Sequence, residues 1–363
     1  MSIILNLIVF FLIIGVIITL HEFGHFIAAK FFNVYCGSFS IGMGPKLYEH
    51  KGKETKFELR ALPIGGFVTM AGEADQEDND EFKNVPLERT LKGKRTYQKV
   101  IIFLAGVFMN FVLALVIMLS LNFTVGRMPV NEARVGSLVK GEAASKAGMK
   151  KGDVIINIES PVSNKSSLIS SYEDMNAALT KKELGVDGDT ANINVTVNRK
   201  SESIVINMNV KFDENQNKYV LGITEATRKM NFTESIRNAF STLGAMSVAI
   251  FEALEALVLN FTKTVKQMSG PVGIYQVTAQ VTKTGSISNI FYLMALLSVN
   301  IGIFNLLPIP GLDGAQTLFA IIEGIIHREL PLNVKYTLQI IGLSLILLLM
   351  VVVTYQDITK LLR

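Results

Sequence analysis

The sequence has no tryptophan and a single cysteine, Cys36, among 363 residues. One thiol excludes an intramolecular disulfide, a Cys-based metal cluster and a CxxC redox pair. Without tryptophan, a membrane interface must be marked by Tyr and basic side chains instead. Charge is scarce as well. Only 18% of residues are charged, 35 Lys and Arg against 31 Asp and Glu for a formal net charge of +4, so no basic footprint points to nucleic acid and none is expected as a partner. Histidine is rarer still: the chain has four, and two of them lie between positions 21 and 25.

What is present is apolar. A mean hydropathy of +0.38 is too high for an ordinary soluble protein and makes the lipid bilayer the first expected partner. A hydrocarbon core of about 30 Å needs about 20 apolar helical residues, so charge-free runs are the ruler. Met1–Leu20, Val100–Gly126 and Tyr336–Gln356 carry no charge, and Gly285–Ala320 carries only Asp313. These runs predict four membrane helices, at 3–28, 100–122, 288–307 and 336–355. The first run lacks a basic n-region and continues into His21 and Glu22, so it reads as a retained helix and not as a cleaved signal peptide. Residues 239–261 are also apolar but contain Glu252 and Glu255, each costly at a bilayer centre, and read as an amphipathic helix on protein or at the interface.

Arg89, Lys92, Lys94, Arg95 and Lys99 crowd the entry to the second helix, which places the 30–99 loop in the cytoplasm. His327, Arg328 and Lys335 before the fourth helix agree with this. Both termini and the 127–285 segment then lie outside. The predicted organisation is a membrane core at 1–126, an extracytoplasmic β-rich domain at 127–225, an amphipathic helical linker at 226–285, and a second membrane core at 286–363. The fold class is thus a multi-pass α-helical membrane protein with an inserted β-rich domain. The acidic stretch Glu73–Glu81 reads as a solvated loop.

In the insert, period-two alternation at 191–197 and 203–210 predicts half-buried strands. The stretch from Gly141 through Gly148, Gly152 and Asp153 to Ile155 reads as a short helix, a glycine turn and a strand, and resembles the corresponding part of a PDZ domain. Such domains take an extended peptide or a C-terminus along a strand edge. The plainer reading is a spacer that blocks access.

The chemistry sits elsewhere. His21-Glu22-Phe23-Gly24-His25 fits H-E-x-x-H: on a helix, imidazoles four apart share a face and can bind one ion, while the adjacent Glu22 can accept a proton from water. Three ionisable groups inside an apolar helix are expensive unless they face a polar interior with a task. A catalytic zinc needs a third protein ligand and an open position. His50 and His327 lie in polar surroundings, whereas Asp313 is isolated in an apolar run broken by Pro308, Pro310 and Gly311, and is the better candidate; its plainer reading is a helix cap. Asn305 and Asn300 on the same run either donate to a substrate carbonyl or join neighbouring helices; substrate contact is the first reading for Asn305 and the two stand level for Asn300. Gly106-x-x-x-Asn110 on the second helix reads first as a site of close helix approach.

Taken in order, the His21–His25 motif, Gly106-x-x-x-Asn110, the PDZ-like insert, Ser269-Gly-Pro-Val-Gly273 and Asn305-x-x-Pro-x-Pro-x-x-Asp-Gly314 resemble the bacterial site-2 proteases, intramembrane zinc metalloproteases of the RseP/RasP type. The resemblance spans nearly the whole chain. It implies one catalytic Zn2+ ion bound by His21, His25 and Asp313, with Glu22 as catalytic base and Asn305 holding substrate. It implies a cytoplasmic membrane-associated β region near 40–75, in which Ile64–Met70, including Gly65, Gly66 and Phe67, belongs to a β-hairpin or sheet that offers an edge to an extended substrate. The implied substrates are membrane proteins cut within a transmembrane segment, such as anti-sigma factors or remnant signal peptides, in regulated intramembrane proteolysis at the bacterial cytoplasmic membrane. Two departures stand out: Gly314-Ala315 where the family often has Gly-Gly, and one PDZ-like unit where some members have two. The competing readings from other classes are a non-enzymatic membrane PDZ scaffold and a metal transporter.

Overall fold

The computed structural model describes residues 3–73 and 80–361. The chain begins with α1 (Ile3–Phe31), the long strands β1 (Cys36–Lys51) and β2 (Lys56–Met70), and α2 (Thr96–Thr124). There follow β3 (Arg127–Pro129), β4 (Val135–Leu138), α3 (Ala143–Lys146), β5 (Val154–Ser160), β6 (Lys165–Leu168), α4 (Tyr172–Ala178), α5 (Lys181–Leu184) and β7 (Thr190–Arg199). Next come β8 (Glu202–Asp213), β9 (Lys218–Val220), β10 (Ile223–Glu225) and β11 (Thr227–Lys229). The rest is helical: α6 (Phe232–Leu259), α7 (Phe261–Gln267), α8 (Pro271–Lys283), α9 (Ile287–Leu306), α10 (Asp313–Ile326) and α11 (Leu332–Leu361). Two compact units result, Met1–Thr124 with Thr233–Arg363, and Val125–Phe232.

In the first unit, α1, α2, α6, α9 and α11 are long and apolar enough to cross a membrane. At 1.5 Å per residue, the 29 residues of α1 or α2 reach about 43 Å, beyond the about 30 Å of hydrocarbon. The stretch expected as a 239–261 amphipathic helix is the body of α6, which starts earlier, at Phe232; Glu252 and Glu255 are exposed on it. The helices meet through small and branched side chains: Ile17 on α1, Ala114 on α2, Ala239 on α6, and Ala295 and Val299 on α9 are fully buried in one cluster. Between helices in lipid, such contacts gain close packing and not removal from water, because lipid tails are as apolar as the side chains themselves. Gly24 sets the closest approach of α1 and α2, because a Cβ there would lie 2.8 Å from the Ala105 carbonyl carbon and 3.1 Å from Gly106 Cα.

β1 and β2 are one antiparallel pair that curls back on itself. Residues 38–41 of β1 pair with 66–69 on one side and with 56–59 on the other, and the distal part of β1 pairs with 56–60 again. The sequence shows little of this, because Gly42, Gly44 and Gly65 bend the strands at positive φ and interrupt period-two alternation. The 66–70 segment is left as an edge, with no further strand beside it among the described residues. Phe39, Val68 and Met70 pack on Ala28 and Ala29 of α1 and on Ile102 of α2. Cys36 is buried in the same cluster, and burial pushes its thiol up to about 12, which leaves it inert. Glu54 joins Lys30 at the end of α1 to Arg89, tying the sheet to both flanking segments. Of the acidic stretch 73–81, residues 74–79 lie outside the described residues, and Glu81 pairs with Lys56 at 2.9 Å.

α11 runs through Asp357, a residue that marks the end of the charge-free run in the sequence. Asp357 is buried and accepts from the backbone N–H of Gly270 and of Gly273, both at 2.8 Å, at the start of α8. Those amides are unpaired helix-end donors that a carboxylate satisfies well. The Ser269-Gly-Pro-Val-Gly273 motif thus provides a carboxylate seat: side chains at 270 or 273 would collide with Asp357 or its surroundings at about 3.1 Å.

The second unit has a five-stranded antiparallel sheet in the order β6-β5-β7-β8-β9, with β4 paired to β10 and β3 to β11. The alternating residues Ala191, Ile193, Val195 and Val197 of β7 point inward with Ile206, Met208 and Val210 of β8, as their period-two pattern predicts. The expected short helix is α3, and Gly148 and Gly152 take φ of +80° and +92° in the turn before β5. Asp153 is buried there, gripped by Arg199 at 2.8 and 2.7 Å and by the Lys150 N–H at 2.8 Å.

Candidate metal centre

The helical period brings His21 and His25 onto one face of α1, and both are buried. Their Nε2 atoms lie 3.2 Å apart, with ring planes crossed at 82°. Asp313, the first residue of α10, reaches them from a segment almost three hundred positions away in sequence: its Oδ2 is 2.9 Å from His21 Nε2 and 3.3 Å from His25 Nε2. Among the described residues this is the one cluster of three His, Cys, Asp or Glu side chains suited to a metal. His50 sits in the sheet opposite Phe57, and His327 bonds to the Ile325 carbonyl; neither joins it.

The loop between α9 and α10 delivers Asp313. Leu307 leaves α9 with extended backbone, Pro308 and Pro310 prevent the helix from continuing, and α10 restarts beside the end of α9. Gly314 makes this turn feasible, since a Cβ there would sit 2.5 Å from the Leu306 carbonyl carbon. The helix-cap reading of Asp313 fails: the N-cap is Leu312, and no side chain caps α10. Its Oδ2 is buried and has no hydrogen-bond partner, although two imidazole nitrogens stand within 3.3 Å.

That orphaned oxygen tests whether a metal fits. Three donor atoms converge on a small volume without hydrogen-bond geometry between the carboxylate and the rings, as expected if each directs electrons at a common centre. His25 Nδ1 bonds the Ile102 carbonyl at 2.8 Å; a carbonyl only accepts, so Nδ1 carries the proton and Nε2 presents a lone pair. Two imidazoles and one carboxylate form a donor set that suits zinc and leaves a fourth tetrahedral position open. The residues present fit the ion.

α2 closes the site with one face. Ile102, Gly106 and Asn110 recur every four residues opposite His25 and His21. Gly106 has no side chain for a specific reason: a Cβ would come within 2.8 Å of His21 Cε1 and Nε2 and collide with His25 Nε2. The close approach expected of Gly106 is therefore to the imidazoles as well as to α1. Asn110 is completely buried, with Nδ2 3.2 Å from His21 Nδ1. The four-residue spacing of Gly106 and Asn110 was the available sequence signal, but their target becomes visible only in three dimensions.

Glu22 lies beside the edge segment of β2: a Cβ on Gly66 would be 3.5 Å from Glu22 Cγ. Gly66 thus borders Glu22, whereas the buried Gly65 faces the Met43 side chain. Phe67 is engaged differently, its ring covered by the Arg60 guanidinium at 4.8 Å, which gives it a role in holding the sheet. Asn305 sits one turn before the loop that carries Asp313, half-buried. Asn300 lines an apolar cavity of about 410 Å³ with Ile250, Leu297 and Phe304.

The pattern of peptidase family M50 matches residues 9–349. A Clostridium perfringens chain, by name a zinc metalloprotease, is 34% identical over 344 residues, covering 94% of this chain and 95% of its own. A Fusobacterium nucleatum chain named in the same way is 33% identical over 357 residues, covering 96% and 97%. RasP of Bacillus subtilis, named as the regulator of sigma-W protease, is 29% identical over 435 aligned positions, covering 98% and 99%.

Proposed function

This chain belongs to peptidase family M50, the zinc metalloproteases, and from that premise we propose that it is an intramembrane endopeptidase whose zinc is held by His21, His25 and Asp313. The observation that carries the reading is the meeting of His21 Nε2, His25 Nε2 and Asp313 Oδ2 within 3.3 Å, from helices far apart in sequence. When bound, zinc supplies a Lewis acid that acidifies water and polarises a carbonyl. Glu22 takes the proton from the attacking water on its carboxylate and returns it to the leaving amine. The Asn305 amide donates to a substrate carbonyl.

A helical substrate hides its carbonyls in its own hydrogen bonds and must be drawn out before attack. The 66–70 edge of β2 lies next to Glu22 and has no further strand beside it among the described residues, so an unwound segment adds there as a strand, with Gly66 keeping the approach clear. Phe67 supports that edge through Arg60. Substrates are membrane proteins with a transmembrane segment; the relative named for sigma-W regulation suggests anti-sigma factors, and remnant signal peptides present the same chemistry.

α1, α2, α9 and α11 are the spans, and α6 lies against protein or at the interface with Glu252 and Glu255 turned outward. The 30–99 segment with its basic cluster is cytoplasmic, and both termini and the 127–225 region are on the other side of a bacterial cytoplasmic membrane. The Val125–Phe232 unit is PDZ-like and filters substrates by size or senses a peptide terminus.

The test is a pair of variants in purified full-length protein. Glu22→Gln is expected to keep zinc and lose cleavage of a membrane-segment substrate, whereas His21→Ala loses both. Cleavage by Glu22→Gln at the unmodified rate would refute the base assignment.

A further inference from the structure

Asn110 touches a proposed zinc ligand, yet its chemistry there depends on which end of its amide faces the ring. An amide side chain has two ends of nearly equal shape, exchanged by a half-turn about its last bond. With Nδ2 towards His21, at 3.2 Å from Nδ1, the ring must accept, so neutral His21 would carry its proton on Nε2 and have no lone pair for a metal. The same orientation leaves the buried Asn110 Oδ1 without a partner. With Oδ1 towards His21, the ring donates from Nδ1, the oxygen gains its partner, and Nε2 is freed.

We propose that Asn110 is a positioning residue that accepts the His21 Nδ1 proton and thereby fixes the tautomer that can bind zinc. The inference rests on the reading of His21 as a ligand. The Ile102 carbonyl performs this duty for His25, so one face of α2 orients both imidazoles, with Gly106 making room between them. Metal-binding histidines characteristically donate their second ring N–H to such an acceptor. α9 fixes Asn110 from behind. Ser298 Oγ donates to its backbone carbonyl at 2.9 Å, and Gly302 packs on its Cβ so closely that an added Cβ would stand 3.3 Å away.

The experiment measures zinc affinity of the full-length protein in detergent by competition with a chromogenic chelator, which does not depend on turnover. Asn110→Ala is expected to weaken zinc binding about 10- to 100-fold. Asn110→Asp can accept but not donate, and is expected to restore affinity close to that of the unmodified protein, whereas Asn110→Leu, which keeps the volume and offers no acceptor, is expected to lose as much as Asn110→Ala; a role in packing alone would spare both. Should the alanine variant fail to fold, Asn110→Val, which offers no acceptor, is read in its place. Unchanged zinc affinity in Asn110→Ala, or a loss in Asn110→Asp as large as in Asn110→Ala, would overturn the inference. His21→Ala separates the two levels: zinc retained there overturns the ligand assignment, whereas zinc lost there and retained in Asn110→Ala overturns only the role of Asn110.

Discussion

Two carboxylates, one in each unit and each with an enclosed oxygen, show what separates a structural charge from a chemical one. Asp153 in the β-rich unit is 1% exposed, and its oxygens are taken by the Arg199 fork and the Lys150 N–H. Asp313 in the helical unit is half-buried, and its enclosed Oδ2 has no hydrogen-bond partner and faces two imidazole nitrogens. The first pays for its burial within the fold. The second points its enclosed oxygen at two other potential metal donors instead of at a hydrogen-bond donor, the arrangement expected of a ligand for a shared cation. Burial alone therefore says little; the state of the acceptor orbitals decides.

Substitution should pull the two apart. The largest effect is expected from Asp313→Ala, which removes one of three donors: zinc stoichiometry in the purified chain falls from one towards zero while hydrogen exchange of the β7 and β8 amides is unchanged. Asp153→Ala is expected to do the reverse. It removes the hydrogen bonds from Arg199 and from the Lys150 N–H and destabilises the β-rich unit by about 1–3 kcal/mol, read as faster exchange of the same amides at full zinc occupancy.

A smaller effect is expected from pH. Burial opposes the charge on Asp153, but the Arg199 and Lys150 donors outweigh it and hold the carboxyl below its ordinary range. Because the folded value is lowered, the stabilisation is fully present above the unfolded value of about 3.9 and is lost as pH falls through the folded one. Amide protection of β7 and β8 should weaken in that acidic window, and Asp153→Asn should flatten the dependence. Unaltered acid sensitivity in Asp153→Asn would assign it to other carboxylates.

The comparison also explains what the sequence disclosed. His21, Glu22 and His25 were legible because a helix converts spacing into a shared face, and Asp313 because a lone charge in an apolar run needs a reason. Charge-free length predicts four membrane helices, whereas five helices are long and apolar enough to cross, because α6 carries Glu252 and Glu255 within its apolar run; α2 also starts before the predicted residue 100, since Thr96, Gln98 and Lys99 are helical as well. The β1–β2 sheet followed from the resemblance and not from patterning: its strands bend at glycines and use the same residues of β1 on both edges, so no simple alternation survives. Asp357 looked like a flanking charge, yet the exposed N-terminus of α8 allows it to be buried. The roles of Gly106 and Asn110 towards the imidazoles depend on the crossing of α1 and α2, which spacing along either helix alone does not encode.

The central claim is that His21, His25 and Asp313 share one zinc ion, and zinc X-ray absorption on the full-length protein in bilayer nanodiscs tests it most directly. The account predicts one zinc per chain with two imidazoles and a carboxylate oxygen in its shell, and loss of the imidazole scattering in His21→Ala. A zinc shell without imidazole, or one that His21→Ala and Asp313→Ala leave unchanged, would contradict it.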